Sequence, residues 1–189
     1  GYEVDNLVIK AEDTQNVGFF GNLQGATVKN LILGKNCKIS GGTNRVGGIA
    51  GAITGDSGQV TTITNCWNKA SVSGNNFVGG IVGFAYVTGE KCKLSDGTKQ
   101  TADGAKAAAA KTTHIVSNCT NTGNITGVTT KGNEEKTGRD IGGIIGCSQA
   151  GLQLTNCRNT GDITAKGGNK TQGCGGIVGK IANNPAAIS

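Results

Sequence analysis

Three cysteines occupy the same place in a repeated phrase, and their type and spacing suit thiol chemistry. Cys66, Cys119 and Cys157 each stand in the pattern Asn-Cys-x-Asn. Equivalent residues of stacked repeats lie over one another, so we expect the three thiols to form a column. The column is interpreted either as a stack of small buried thiols or as the site of a disulfide between adjacent repeats. A repeat spacing of about 4.8 Å allows that bond.

The remaining cysteines show no pattern typical of a metal site. Cys37, Cys92 and Cys147 stand outside the column, and Cys174 replaces a Val or Ile of another repeated phrase, which favours a packing role. Zinc sites use thiolate and imidazole ligands at short spacings such as Cys-x-x-Cys, and the sequence contains no such pair. The sequence therefore predicts neither a metal site nor a bound cofactor.

Groups suited to acid and base catalysis are few and scattered. His114 is the one histidine of the sequence, and no His-Glu-x-x-His, Gly-x-Ser-x-Gly or Walker pattern occurs. Of the 12 acidic residues, only Asp162 lies in a repeated strand phrase, whereas glycosidases use paired carboxyl groups. We therefore expect no catalytic residues and a protein that is not an enzyme. A carbohydrate-active enzyme on the same scaffold is the alternative hypothesis.

A line of three residues is the candidate ligand contact. Trp67, Thr120 and Arg158 directly follow the three column cysteines. Because successive side chains of a strand point to opposite faces, these three face outward if the thiols face inward. An exposed Trp is a common anchor for carbohydrate or protein, although a single Trp packed beneath a neighbouring loop is the competing interpretation.

Three phrases that recur in a fixed order predict the elements that hold these residues. The glycine phrase, such as Val78-Gly79-Gly80-Ile81-Val82-Gly83, has copies at 17–21, 46–51, 78–83, 141–146 and 174–179. The asparagine phrase has three copies around the column cysteines and a looser copy at 28–31. A short Val or Ile phrase has copies at 8–10, 38–41, 71–74, 124–127 and 162–164.

These phrases indicate short strands that coil into a rod. Each phrase is rich in β-branched residues and is bounded by Gly, Asn, Ser or Thr, which is typical of a strand between tight turns. Glycine phrases return about every 32 residues, as from Gly47 to Gly79. The pattern predicts an all-β parallel β-helix, or β-solenoid, with three short strands per coil and about four to five coils. We expect a right-handed coil, by analogy with most parallel β-helices.

Equivalent residues of successive coils are expected to form ladders inside the solenoid. Two ladders are aliphatic and lie in the glycine phrases: Val46, Val78, Ile141 and Cys174, and Ile49, Ile81, Ile144 and Ile177. A third is expected to hydrogen-bond along the rod and consists of the first asparagine of each asparagine phrase: Asn30, Asn65, Asn118 and Asn156.

One coil carries two excursions. The 63 residues from Gly79 to Gly142 contain only one copy of each other phrase, so we expect long loops at about 86–113 and 128–140. Long loops on a rigid scaffold often carry binding, although surface loops also vary freely without function. We expect residues 1–189 to form a single β-solenoid domain. Open ladder edges on its end coils favour a fragment of a longer chain with flanking domains.

Composition excludes several classes of protein and partner. The chain has 34 Gly and one Pro without a three-residue period, which excludes collagen. The net charge of +6 comes from lysines mixed with acidic residues, and no basic motif is interleaved with aromatic residues, so no nucleic-acid partner is expected. No run of about 20 apolar residues occurs, so no direct membrane insertion is expected either.

The phrases resemble GLUG-motif repeats. The likeness rests on Val17-Gly18-Phe19-Phe20-Gly21, on Gly25-Ala26-Thr27-Val28-Lys29-Asn30-Leu31, and on the later glycine and asparagine phrases, and it covers most of the chain outside the two excursions. The resemblance implies secreted or surface-anchored bacterial proteins, including adhesin-like proteins of gut Bacteroidales and accessory regions of immunoglobulin A metallopeptidases. It brings no catalytic residue set.

These observations predict a non-catalytic, adhesin-like interaction module that is extracellular or on a bacterial cell surface. The expected partner is a host protein or a glycan, bound by loops or by the line of Trp67, Thr120 and Arg158 on a rigid β-solenoid. A purely structural spacer, which would keep its function without residues 86–113, is a further alternative.

Overall fold

A computed structural model describes residues 1–55, 58–86, 113–131, 134–137, 139–149, 151–166, 173–182 and 186–188. Every regular element in these ranges is a β-strand. Accordingly, the described ranges contain no apolar helix of the length needed to cross a membrane. The all-β class predicted from the repeats is confirmed.

The chain winds through five coils, whose strands form five sheets that we name A to E in the order in which a coil meets them. The first coil contains β1 (Tyr2–Val4), β2 (Val8–Ala11), β3 (Phe20–Gln24) and β4 (Thr27–Lys29) in sheets A, B, D and E, with Val17 bridging to Val46 at sheet C. The second contains β5 (Leu31–Leu33), β6 (Lys38–Gly41), β7 (Val46–Gly47), β8 (Ala50–Thr54) and β9 (Thr62–Thr64).

The later coils repeat this order. The third contains β10 (Trp67–Asn68), β11 (Ser71–Gly74), β12 (Asn76–Gly79), β13 (Val82–Ala85) and β14 (Thr113–Ser117). The fourth contains β15 (Thr120–Asn121), β16 (Ile125–Lys131), β17 (Glu134–Thr137), β18 (Arg139–Gly142), β19 (Ile145–Ser148) and β20 (Gly151–Thr155). The fifth contains β21 (Arg158–Asn159), β22 (Ile163–Ala165), β23 (Cys174–Gly175), β24 (Val178–Ile181) and β25 (Ala186–Ile188).

Equivalent phrases pair in parallel and in register from coil to coil. In sheet C, Val78 lies opposite both Val46 and Ile141. In sheet B, Val72 lies opposite both Ile39 and Ile125. Parallel pairing of equivalent residues is the defining feature of a parallel β-helix, so the predicted solenoid is confirmed.

The structure gives each coil five sides, one in each sheet, where the sequence predicts three strands per coil. The three phrases are present, but two of them bend in the middle. The asparagine phrase turns at its first asparagine, so that β9 belongs to sheet E and β10 to sheet A. The glycine phrase bends after its glycine pair, so that β12 belongs to sheet C and β13 to sheet D. The Val or Ile phrase gives the strands of sheet B.

The predicted ladder of first asparagines is wrong. Asn30, Asn65, Asn118 and Asn156 are exposed, and their φ angles are 58°, 54°, 51° and 52°. Asparagine tolerates this left-handed conformation better than most residues, so these side chains make the corner between sheets E and A. The buried ladder consists instead of the second asparagine of each phrase, three residues later.

That buried ladder supports the glycine bend. Asn68 Nδ2 donates to Asn121 Oδ1 over 2.8 Å, and Asn121 Nδ2 donates to Asn159 Oδ1 over 2.7 Å. A Cβ atom on Gly80 would collide with the Asn121 side chain and with the carbonyl oxygen of Gly143. Glycine is therefore required at the bend because an asparagine side chain packs against its Cα atom.

The main core fills the space enclosed by the coils. Val46, Val78 and Ile141 are fully buried, as are Ile49, Ile81 and Ile144, so both aliphatic ladders are confirmed in the second to fourth coils. In the fifth coil Cys174 lies opposite Ile141, at the predicted position of the ladder, but Cys174 is exposed and Ile177 is half-buried. Within the described ranges no further coil covers the fifth, and this accounts for its exposure.

The two excursions have different outcomes. Residues 87–112 of the larger one lie outside the described residues. At the smaller one, β16 continues beyond its pairing with β11 and turns back as β17, and Val128 lies opposite Thr137 in an antiparallel hairpin. Part of the region expected to be a loop is therefore a hairpin that extends from sheet B.

Candidate binding surface and thiol column

The structure brings the predicted line of residues together on the outer face of sheet A. Trp67 lies opposite Thr120, and Thr120 lies opposite Arg158, on β10, β15 and β21. The line continues through Ile32 on β5 to Glu3 on β1. The next residue of each strand, Leu33, Asn68, Asn121 or Asn159, belongs to the opposite, inward face. Parallel pairing thus places one outward side chain about every 4.8 Å along the rod.

Trp67 is partly exposed and held in one orientation. Its side chain is 40% exposed, and its Nε1 atom donates to Thr122 Oγ1 over 3.1 Å. The Lys69 Nζ atom lies 4.7 Å from the Trp67 ring and forms an ion pair with Glu3 at 3.0 Å. The competing interpretation, a Trp packed beneath a loop, is not what the described residues show.

Sequence reasoning missed three members of this surface. Lys69, Thr122 and Glu3 complete the surroundings of Trp67, and the first two were detectable because each stands two residues after Trp67 or Thr120, just beyond the end of its strand. Glu3 precedes the first clear phrase and gave no signal. We call the set Glu3, Trp67, Lys69, Thr120, Thr122 and Arg158 the sheet A surface.

The chemistry of the sheet A surface suits a polar ligand with an apolar face. An indole ring offers a stacking platform, and threonine hydroxyls both donate and accept hydrogen bonds. The exposed guanidinium of Arg158 and the ammonium of Lys69 attract carboxylate or sulfate groups. The buried asparagine ladder behind the strands fixes their spacing.

The cysteine column lies in the core directly behind this surface. Cys66 and Cys119 are buried, Cys157 is half-buried, and all three are free thiols, which matches the stacked-thiol interpretation. Backbone hydrogen bonds from the Thr120 amide to the Cys66 carbonyl and from the Arg158 amide to the Cys119 carbonyl place Cys119 between the other two cysteines. Cys119 Sγ also lies 3.2 Å from the Ser117 carbonyl oxygen.

Contact between the thiols separates their acidities. The hydrogen bond with Cys119 lowers the pKa of Cys66 to about 7 and also lowers the pKa of Cys157. Hydrogen bonds to Cys157 and Cys66, together with burial, raise the pKa of Cys119. The first proton to leave the column therefore comes from an outer thiol, and the central thiol keeps its proton.

His114 is a buried structural residue of β14. Its Nδ1 atom accepts a hydrogen bond from the Thr61 amide over 3.2 Å, so the Nε2 atom carries the proton and donates to the Tyr86 carbonyl over 3.1 Å. Burial lowers the pKa of His114 and keeps the imidazole neutral. Tyr86 directly follows β13, and His114 lies near the start of β14. Their hydrogen bond therefore connects the two ends of the larger excursion.

A second cluster lies outside the main core, at the corner of sheets C and D. The Arg45 guanidinium carbon lies 4.7 Å from the Tyr86 ring centroid and 5.4 Å from that of Phe84. Phe77 and Phe84 stack with centroids 4.9 Å apart. The residues before three glycine phrases, Arg45, Phe77 and Asp140, all have positive φ angles. Arg45, Phe77 and Asp140 share the position directly before a glycine phrase. That shared position could have indicated the cluster, but we did not identify it from the sequence.

The acidic residues form no catalytic arrangement in the part of the chain that the structure describes. Asp162 is exposed. Asp140 is buried, and its Oδ1 atom has no hydrogen-bond partner among the described residues. Burial raises the pKa of Asp140, although the positive charges of Lys180 and Arg139 act in the opposite direction. Among the described residues no three His, Cys, Asp or Glu side chains are placed to hold a metal ion.

The chain is similar to a part of halomucin from Haloquadratum walsbyi. The two sequences are 36% identical over 83 residues, which is 44% of this chain and 1% of halomucin. The similarity therefore concerns a very small part of that protein. No protein-family model and no solved structure matches the chain.

Proposed function

We propose that this protein is a non-catalytic interaction module that lies outside the cell or on a bacterial cell surface, and that its sheet A surface binds a host glycan or protein. The observation that carries the proposal is Trp67, which is exposed yet fixed by Thr122 and Lys69. A fixed aromatic side chain contributes contact area with little loss of conformational entropy on binding.

The line of outward side chains supports a glycan in particular. A sugar ring presents an apolar face to an indole and hydroxyl groups to its sides, and Thr120 and Thr122 stand beside Trp67 to bind them. Arg158, two coils away, suits an acidic group on such a ligand. The similarity to halomucin supports a cell-surface location, and the resemblance to GLUG-motif repeats supports the adhesin-like role.

The test is a binding screen followed by a substitution on each of two faces. The chain is applied to an array of glycans and host proteins, and the affinity of the strongest ligand is then measured for Trp67→Ala. We expect a loss of about thirtyfold or more, since truncation of a central aromatic anchor removes about 2 kcal/mol or more. Val8→Ala is the matched control, because Val8 is 53% exposed and lies on sheet B.

Two outcomes would contradict the proposal. Unchanged affinity in Trp67→Ala removes the sheet A surface as the site. Absence of any ligand, together with full function of the parent protein after deletion of residues 86–113, favours the structural spacer instead.

A further inference from the structure

Register places the three column thiols one coil apart. The Thr120 amide donates to the Cys66 carbonyl over 2.9 Å, and the Arg158 amide donates to the Cys119 carbonyl over 2.9 Å. Adjacent Cα atoms in such a stack are separated by about 4.8 Å, within the range of about 4.4 to 6.8 Å found for disulfide-bonded cysteines. The Cα separation therefore permits a disulfide between each neighbouring pair of cysteines.

The same register makes such a bond strained. Side chains of equivalent residues on parallel strands run side by side, so their Cβ atoms stay about as far apart as their Cα atoms. Disulfide-bonded Cβ atoms prefer about 3.5 to 4.5 Å, so the two side chains must lean together. Strained disulfides are reduced more easily than relaxed ones. A bond in this column is thus suited to reversible formation.

We propose that Cys66, Cys119 and Cys157 form an oxidisable thiol site, in which hydrogen peroxide or a small organic hydroperoxide converts Cys119 and Cys157 into an inter-coil disulfide. Cys157 leads into the fifth coil, which no further described coil covers, so in the isolated chain it is half-buried and a small oxidant reaches it before the buried Cys66 and Cys119. The hydrogen bond from Cys119 also favours the thiolate of Cys157, which is the reactive form.

The reaction balances with one peroxide. The Cys157 thiolate attacks one peroxide oxygen, the O–O bond breaks, and the departing hydroxide takes up the proton that the thiol released, giving sulfenic acid and water. The Cys119 sulfur then attacks the Cys157 sulfur, and the S–O bond breaks. The hydroxyl leaves as water with the Cys119 proton. Two thiols and one peroxide give one disulfide and two waters.

The third thiol allows the bond to move along the column. Cys66 is the other neighbour of Cys119 in the column, one coil away on the side opposite Cys157. Its attack on the Cys119 sulfur forms a Cys66–Cys119 disulfide and releases the Cys157 thiolate, which completes a thiol–disulfide exchange. Cys147 is the natural control, because it is equally buried but lies opposite Phe84 and Lys180 rather than another thiol.

The experiment counts thiols in the full chain carrying Cys92→Ser and Cys174→Ser, which leaves five cysteines. After treatment with hydrogen peroxide at neutral pH we expect two of the five thiols to be lost. Peptide mapping without reductant should give a Cys119–Cys157 peptide, with some Cys66–Cys119 peptide, and reduced glutathione should restore both thiols. Addition of Cys147→Ser should leave the loss at two thiols, and addition of Cys119→Ser should abolish the disulfide and limit the glutathione-reversible loss to at most the one thiol of Cys157.

Three results would overturn the proposal. One is the absence of any disulfide within the column after treatment, and another is an equal thiol loss in the Cys119→Ser chain. If that chain does not fold, as judged by circular dichroism, Cys66→Ser decides the matter. It should still lose two thiols through the Cys119–Cys157 bond, and failure to do so is the third.

Discussion

At the scale of single residues, the two asparagines of one phrase have opposite tasks. Asn118 is exposed in a left-handed turn, and Asn121 is buried three residues later. Asn121 accepts from Asn68 Nδ2 and donates to Asn159 Oδ1 and to the Gly123 carbonyl at 2.8 Å. Both faces of its amide are therefore used. A buried amide with all its hydrogen bonds made stabilises the fold, and the same amide left unpaired destabilises it.

We predict that Asn121→Ala lowers the free energy of unfolding by about 2 to 3 kcal/mol, because it removes the centre of the ladder and leaves the Gly123 carbonyl unpaired. The matched control is Asn118→Gly, which keeps the left-handed turn and should change stability by less than about 1 kcal/mol. Urea unfolding followed by circular dichroism measures both. Equal losses in the two variants would contradict the assignment of the buried ladder to the second asparagine.

We predict that stability decreases as the pH falls below about 6.5, the ordinary pKa of histidine. Burial lowers the pKa of His114 in the folded chain, so the unfolded chain binds a proton first and unfolding becomes more favourable. The stabilising contribution of the neutral imidazole is complete above pH 6.5 and is lost as the pH falls toward the lowered pKa of the folded chain.

The measurement compares urea midpoints of the native chain and His114→Gln between pH 5 and 8. Because Asp140 has a raised pKa and acts in the opposite direction, the difference between the two chains is the informative quantity. That difference should shrink as the pH falls. A constant difference across this range would show that His114 does not titrate with unfolding.

At the scale of elements, the glycine bend decides how the strands of sheets C and D meet. Gly48, Gly80 and Gly143 repeat the same contact, in which an added Cβ would strike the carbonyl oxygen of the next coil and an asparagine side chain. Gly176 holds the equivalent place in the fifth coil, where an added Cβ would meet nothing within 4 Å. Gly176 is therefore a matched control for substitutions at the other three glycines of this column.

We predict that Gly80→Ala destabilises the chain by about 3 kcal/mol or more, because neither the Gly143 carbonyl nor the Asn121 side chain can move without breaking the ladder. Gly176→Ala should be neutral or slightly stabilising, since alanine restricts the unfolded chain more than glycine does. Thermal unfolding midpoints of the two variants test this. A comparable decrease in both would mean that the coil-to-coil contact is not what requires glycine.

The sequence predicted the order of phrases but not the face that each residue presents. Alternation along a strand correctly placed Trp67 outward and Cys66 inward. It failed at Asn65, because a left-handed residue turns the chain into the next sheet and interrupts the alternation. The same effect hid the Arg45 cluster, which stands before the glycine phrase. Three phrases therefore became five strands, since a bend inside a phrase has no signature beyond a Gly or an Asn.

At the scale of the whole molecule, stacking places equivalent residues of a repeated sequence at a regular spacing along the rod. Coil-to-coil register was predictable, because only one alignment superposes all three phrases. The ligand could not be predicted, because the sheet A surface depends on residues that differ from coil to coil, such as Trp67, Thr120 and Arg158. Repetition specifies the scaffold, and the departures from repetition specify what it binds.

This geometry leads to a prediction about the length of the ligand. Trp67 and Arg158 are two coils apart, which corresponds to about 9.6 Å along the rod. A ligand that spans this distance should lose affinity in both Trp67→Ala and Arg158→Ala. Since sites farther apart than about 7 to 10 Å on a rigid scaffold act independently, the two losses should add within about 0.5 kcal/mol in the double variant. Titration calorimetry of the native chain, the two single variants and the double variant measures these losses as a double-mutant cycle. Unchanged affinity in Arg158→Ala would confine the ligand to the surroundings of Trp67.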